Sequence, residues 1–292
     1  MTTLSQNIQS NPKISRTLLV LLLSGVAGLL IYQNAIVRVL TEVLNRSDSS
    51  HGVFIVPLAA YFVWIARDRL KSTDVGYSWG GVPLAILCLA FPLAKIGGFQ
   101  IQFIAFIGFA CSIVLLLLGK DMFKILAFPI LFLITMTPLP QDLYEVLANI
   151  SRTIAFGGSL KIISWLGIPH LRVGWDIELP NALLRVAVSC SGIRYLISFV
   201  VFGLAYAYLF RRSTWGKVLT VLATIPISLF ASIGRLTIIF VMTYYVSPFW
   251  SQHRPHVILS WFVFFTVLFS SIFIDQWVQA RRERKEAIGE RL

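Results

Sequence analysis

Long apolar runs bounded by short basic clusters constrain this 292-residue chain more than any other feature. An apolar helix needs roughly 20 residues, at about 1.5 Å each, to cross about 30 Å of hydrocarbon. Lipid offers no partner to an exposed backbone N–H or C=O, so a segment that crosses it does so as a complete helix or as part of a closed barrel. About eight runs here approach helical crossing length. With 57% hydrophobic and only 13% charged residues, the chain reads as a polytopic membrane protein, and disulfide-rich secreted scaffolds and disordered tails are excluded.

Lysine and arginine number 25 against 13 acidic residues, a formal charge of +12. In a soluble protein that excess would point to nucleic acid. Here the cations lie just outside the apolar runs, as Arg67, Arg69 and Lys71, then Arg211, Arg212 and Lys217, then Arg281, Arg282, Arg284 and Lys285. That pattern fixes membrane orientation and does not form a stripe for phosphates. The clusters are assigned to the cytoplasmic side; the lipid bilayer is the expected partner, and nucleic acid is not.

The first run, near residues 14–34, follows Lys13 and Arg16 and lacks a small-residue cleavage site, so a retained helix with a cytoplasmic amino terminus is expected. The second spans 51–67. The third and fourth, near 81–95 and 101–119, meet at a tight turn on Gly97 and Gly98, and the short fifth, 125–137, stops at Pro138-Leu139-Pro140. Three more follow near 191–210, 218–246 and 257–278, the last entering the basic tail. The middle one, about 29 residues, exceeds a bilayer crossing. Gly234-Arg235 is expected to divide it, leaving 236–246 to project, kink or re-enter.

Residues 141–189 differ in kind, with Asp142, Glu145, Arg152, Lys161, Arg172, Asp176, Glu178 and Arg185 spread among apolar positions. The first half reads as an interfacial helix or two, broken at Gly157-Gly158, with Leu143, Leu147, Ile150 and Ile154 at helical spacing. Alternation in 172–179 and 183–189 around Pro180-Asn181-Ala182 predicts a β-hairpin. Counting crossings sets this piece outside the cytoplasm. The expected fold is a single all-α integral membrane domain over 1–292, with an extracytoplasmic helix-and-hairpin insertion at 138–189.

Three residues then share one membrane depth. Cys190 lies 21 positions before Arg211, Arg235 lies 18 after Lys217, and His256 lies 25 before Arg281. At about 1.5 Å per residue, each is roughly 27 to 38 Å from the cytoplasmic boundary, near the outer face. Each also has a plainer reading. Cysteine serves in membrane helices as a small apolar residue, which suits Cys88 and Cys111. Cys190 differs because it opens a helix, where free backbone N–H groups and Arg194 at i+4 favour thiolate. Arg235 either snorkels to the interface or is functional, since an arginine in an apolar run is costly. For His253 and His256 the alternative is a polar helix start, with Pro255 in the first turn.

Taken together, a thiolate, a guanidinium and an imidazole match nucleophilic acyl chemistry: attack on a carbonyl, oxyanion stabilisation and protonation of a leaving amine. No metal site and no cofactor are expected. The competing readings are a transporter or channel and a non-catalytic scaffold. Against coupled transport, Asp275 is the sole acid inside the apolar runs.

Several of these residues resemble the exosortase and archaeosortase family of polytopic membrane transpeptidases. Ser50-His51-Gly52 leading through Val56-Pro57-Leu58 to Trp64 is similar to the family's early Ser-His-Gly helix, and Phe128-Pro129 before Pro138-Leu139-Pro140 to its middle segment. Gly174, Ile177, Leu179 and Pro180, followed by Val186-Ala187-Val188-Ser189-Cys190-Ser191-Gly192-Ile193-Arg194, resemble the approach to its Cys-Ser-Gly nucleophile motif. Ser232-Ile233-Gly234-Arg235 corresponds to the family's Asn-x-x-Arg with serine for asparagine. His256 to Trp261 corresponds to His-x-x-x-Gly-Trp with serine for glycine, which selects His256 over His253. His51 is assigned a structural role. The resemblance implies cleavage of a carboxy-terminal sorting signal on exported proteins, often Pro-Glu-Pro followed by a transmembrane helix and a basic tail. Cys190 would be the nucleophile, Arg235 the oxyanion partner and His256 the general acid and base, with transfer to an acceptor at the outer face of a bacterial plasma membrane. The hairpin is expected to guide the substrate, because an extended peptide can add to a strand edge.

Overall fold

The computed structural model describes residues 12–45, 51–188 and 191–251, with 258, 262, 265–267, 269, 270, 273, 276 and 277 of the last run. The chain divides into two compact units, Met1–Pro140 and Gln141–Leu292.

In the first unit, α1 (Pro12–Ile31) and α2 (Gln33–Asn45) meet at a 70° bend. The first run therefore ends at Ile31 and not at 34. Tyr32 occupies the bend, buried, with its hydroxyl donating to the Cys88 carbonyl at 2.7 Å and its ring beside Phe106 and Phe109. That hydrogen bond and those ring contacts tie the bend to neighbouring helices. Next come α3 (Gly52–Ile65), the short α4 (Arg67–Ser72), α5 (Gly81–Leu93) and α6 (Phe99–Phe132).

Gly119 interrupts α6 at φ 84°, a conformation costly for any residue with a Cβ. Its break separates the fourth and fifth apolar runs, where Lys120, Asp121 and Lys124 cluster. The N–H groups of Gly76 and Ser78 donate to the Leu118 and Leu116 carbonyls, both at 3.2 Å, satisfying backbone acceptors where the helix stops. Beyond Gly119 the chain is helical to Phe132 and closes in a 3₁₀ turn, Leu133–Met136. Phe62 of α3 packs edge-on against Phe128 and Phe132 there, at 5.4 and 5.3 Å between ring centroids.

The second unit opens with α7 (Gln141–Trp165), one helix of 25 residues that continues unbroken through Gly157-Gly158. The expected break is corrected by packing. A Cβ on Gly158 would lie 2.8 Å from Ile233 Cδ1 and 2.9 Å from its Cγ1, so this glycine admits a neighbouring helix. Gly157 faces open space, with nothing within 4 Å of an added Cβ. Gly157→Ala should therefore raise stability by about 0.5–1 kcal/mol through helix propensity. Gly158→Ala should lower it by about 1–3 kcal/mol through overpacking. Thermal unfolding in detergent reads the difference, and equal shifts would contradict this packing.

A three-stranded antiparallel sheet follows, ordered β1 (Leu171–Val173), β2 (Asp176–Leu179) and β3 (Ala182–Arg185). This corrects the two-armed hairpin: the chain reverses at Gly174-Trp175 as well as at Pro180-Asn181, and the last strand stops at Arg185. Period-two alternation holds in β2, where Ile177 and Leu179 are buried while Glu178 is exposed.

Two long helices complete the described architecture, α8 (Ile193–Phe210) and α9 (Thr214–Tyr245). The 32-residue α9 continues unbroken through Gly234-Arg235, so the expected division there does not occur. At about 1.5 Å per residue it is about 48 Å long, against about 30 Å of hydrocarbon. Its final third is apolar because it packs on protein. Leu236, Ile239 and Phe240 form one core with Phe156 and Ile163 of α7, Ile177 and Leu179 of β2, and Val186. The Asn181 side-chain amide donates to the Thr243 and Tyr244 carbonyls at 2.8 and 3.1 Å, tying the β2–β3 turn to the last turn of α9.

Among the described residues, three helical segments, Phe99–Met136, Ile193–Phe210 and Thr214–Tyr245, are long and apolar enough to cross a membrane, or four if the bent α1–α2 pair counts as one. Against the eight expected runs, α3 and α5 have 14 and 13 residues, shorter than a full crossing, and α6 carries two runs on one broken helix. The chain is an integral membrane protein, rich in helix, with one small sheet.

Candidate active site

The site is built where α8 begins against α9. One face of α9 carries Thr224, Ser228, Ser232 and Arg235, all buried and spaced by four, four and three residues. The first three hydroxyls donate back to the carbonyls of Val221, Ile225 and Ser228 at 2.6 to 2.8 Å. Their polarity is thus satisfied within the helix, and they act as small packing residues. Glycines of the partner helix meet them. A Cβ on Gly203 would approach Thr224 Cγ2 at 2.5 Å, and one on Gly192 would overlap Ser232 Oγ and lie 2.6 Å from Ser232 Cβ.

Gly192 is the residue before α8 and adopts φ 80°, ψ 0°, the left-handed region. Its carbonyl accepts the first helical bond, from the Leu196 N–H at 3.1 Å. Ser191 beside it is fully buried; its N–H donates to the Val188 carbonyl at 3.0 Å and its Oγ accepts the Ile193 N–H at 3.3 Å. The chain entering this turn is held as well. The Val186 N–H donates to the Trp175 carbonyl at 3.0 Å, and the Val186 carbonyl accepts from Arg152 of α7. Arg152 is buried, its guanidinium carbon 3.9 Å from the centroid of Trp175. Both ends of the stretch from Val186 to Gly192 are therefore fixed by named contacts.

Arg235 follows Ser232 by one turn and is 3% exposed. Its guanidinium carbon lies 5.1 Å from the centroid of the Tyr195 ring on α8, within cation–π range. Arg194 stands half-buried in the first turn of the same helix. Below this level Phe199 and Ala231 form an apolar cluster with Tyr195, Phe202, Ile227 and Val267, the last a helical residue of the final run. The final run thus touches the α8–α9 pair through Val267.

The flanks of two sequence motifs, Ser191-Gly192 and Ser232-Ile233-Gly234-Arg235, are in direct contact. Cys190, His253 and His256 lie outside the described residues. His51 belongs to the first unit, ahead of α3, and Cys88 and Cys111 are buried in α5 and α6 of that unit. Two residues with evident structural roles were not singled out from sequence: Tyr195, whose partner is on another helix, and Arg152, one of several charges in an amphipathic segment. For Arg152, a charge four residues after Ala148 and three before Ala155, both small apolar residues, was the available signal.

The sequence model described as transmembrane exosortase matches residues 43–273. No curated protein and no solved structure matches the chain.

Proposed function

The chain belongs to the transmembrane exosortase family, a family of membrane sorting transpeptidases, and we propose that it cleaves carboxy-terminal sorting signals of exported proteins through Cys190, Arg235 and His256. The observation that carries this reading is the contact of Gly192 with Ser232, one turn from buried Arg235. Cys190 is two residues before Gly192, a Cα span of at most about 7.6 Å.

In this mechanism His256 takes the thiol proton, aided by Arg194, whose charge favours the thiolate. The Cys190 sulfur attacks the scissile carbonyl carbon; the carbonyl π pair moves to oxygen, and Arg235 stabilises the resulting oxyanion. Collapse breaks the C–N bond, the amine leaves with the proton from His256, and a thioester remains. An acceptor nucleophile then gives a proton to His256, attacks the thioester carbonyl and expels the thiolate. Water in that role would make the enzyme a simple protease.

The substrate is an exported protein ending in a short motif such as Pro-Glu-Pro, an apolar helix and a basic tail. The site faces the outer side of a bacterial plasma membrane, with the amino terminus and basic tail cytoplasmic. Support for the outward site comes from α9, whose length beyond a bilayer crossing carries the sheet. The β1 strand, exposed at Leu171 and Val173, offers an edge to an extended peptide. Co-expression with exported proteins bearing such tails tests the reading. The carboxy-terminal segment should be lost from at least one of them; a transporter or scaffold would leave all of them intact.

A further inference from the structure

We propose that Arg152 is a positioning residue for the nucleophile, gripping the Val186 peptide so that the segment leading to Cys190 is fixed against α7. This deepens the proposed function, since it rests on Cys190 attacking the substrate carbonyl. β3 ends at Arg185, and Val186 follows it, 2% exposed. Its N–H donates to the Trp175 carbonyl at 3.0 Å, one step past the β2–β3 ladder, and its carbonyl accepts from Arg152. The peptide is thus held from two elements, the β1–β2 turn and α7. Cys190 lies four residues on, within a span of at most about 14 Å.

Chemistry explains why an arginine stands on the helix face that buries Ala148, Ser151 and Ala155. A guanidinium only 7% exposed gives up hydration that an apolar side chain there would not forfeit. In return it supplies a charged N–H donor to a carbonyl in a buried residue, a bond stronger than one between neutral groups. Trp175 supports the charge, with the guanidinium carbon 3.9 Å from its ring centroid, within cation–π range. Phe156, one turn along α7 from Arg152, lies 6.3 Å from that ring. Trp175 therefore meets both sides of the grip: its carbonyl takes the Val186 N–H, and its ring sits beside the cation that holds the Val186 carbonyl. Downstream, Gly192 against Ser232 fixes the other end of the segment. Releasing the upstream hold lets the segment shift relative to Arg235 on α9.

The test pairs kinetics with hydrogen exchange on the purified full chain in detergent. Arg152→Met fills similar space with no donor and no charge, and should lower kcat for tail cleavage about 10- to 50-fold with KM unchanged. Arg152→Lys keeps a cation and N–H donors and should lose no more than about threefold. Trp175→Leu leaves the backbone carbonyl in place and removes only the ring, so a loss of about 3- to 10-fold is expected. Exchange needs no substrate. Amides of residues 183–192 should exchange at least about tenfold faster in Arg152→Met and near the wild-type rate in Arg152→Lys, while residues 232–243 of α9 keep their protection. Full activity of Arg152→Met, an equal loss in Arg152→Lys, or unchanged exchange over 183–192 overturns the proposal. If Arg152→Met does not fold, Trp175→Leu decides by the same two readouts. Cleavage that survives Cys190→Ala sinks the reading of Cys190 as nucleophile. Dependence on Cys190 together with a fully active Arg152→Met removes the grip alone.

Discussion

Substituting Cys190 with alanine is expected to abolish loss of the carboxy-terminal segment from a co-expressed exported substrate, a fall on the order of 10⁴-fold or more. Without the sulfur no thioester forms, and the remaining groups only polarise and position the bond. Neither other cysteine is suited to replace it, since Cys88 and Cys111 are buried in helices of the first unit. Serine at 190 should be nearly as inactive, because an alkoxide is much harder to form than a thiolate near neutral pH. Arg235→Ala should be milder, about 10²- to 10³-fold, the usual cost of losing one oxyanion partner. Wild-type rates of trimming in Cys190→Ala would reject the thiolate mechanism outright.

Gly192→Ala is expected to be the most damaging change outside the reacting groups. An L-residue at φ 80° is costly by about 1–2 kcal/mol. The added methyl would also overlap Ser232 Oγ and lie 2.6 Å from Ser232 Cβ; the hydroxyl can rotate away, but the Cβ is fixed to the backbone of α9. Gly192 must then lift off Ser232, displacing the start of α8 from α9. A displacement of about 1 Å at a reacting centre can cost about 10²-fold in rate, so trimming should fall at least that far, with a lowered Tm. Adding Ser232→Gly removes both overlapping atoms and should restore part of the activity. The backbone penalty would remain. Unchanged activity in Gly192→Ala alone would show that this contact does not set the geometry of the turn.

Much of this fold was legible because lipid and turn chemistry leave few choices. Among the described residues, apolar runs between basic clusters marked the three helices long and apolar enough to cross a membrane, and Pro180-Asn181 marked a real reversal, whose asparagine also holds the carbonyls at the end of α9. What was not legible depends on contacts distant in sequence. Gly157-Gly158 reads locally as a break, yet α7 continues because Gly158 makes room for Ile233. Gly234-Arg235 reads as a division, while the core around Leu236, Ile239 and Phe240 keeps α9 continuous there. The third strand was hidden in a single alternating segment, since Gly174-Trp175 carries a weaker turn signal than proline with asparagine.

The candidate site divides the same way. Arg235 stood out because a guanidinium in an apolar helix demands explanation. The Gly192–Ser232 contact and the Tyr195 ring could not be read from either helix alone, because spacing rules relate residues within one helix and not across two.

The most direct test of the central claim, that the Cys190 sulfur is acylated by the substrate, is mass spectrometry of the protein trapped during turnover with a tail peptide and no acceptor amine. The account predicts an adduct on the peptide containing Cys190, with the mass of the segment preceding the scissile bond, released by hydroxylamine and lost in Cys190→Ala. Cleavage of the tail with no acyl group on that cysteine at any time point would contradict it.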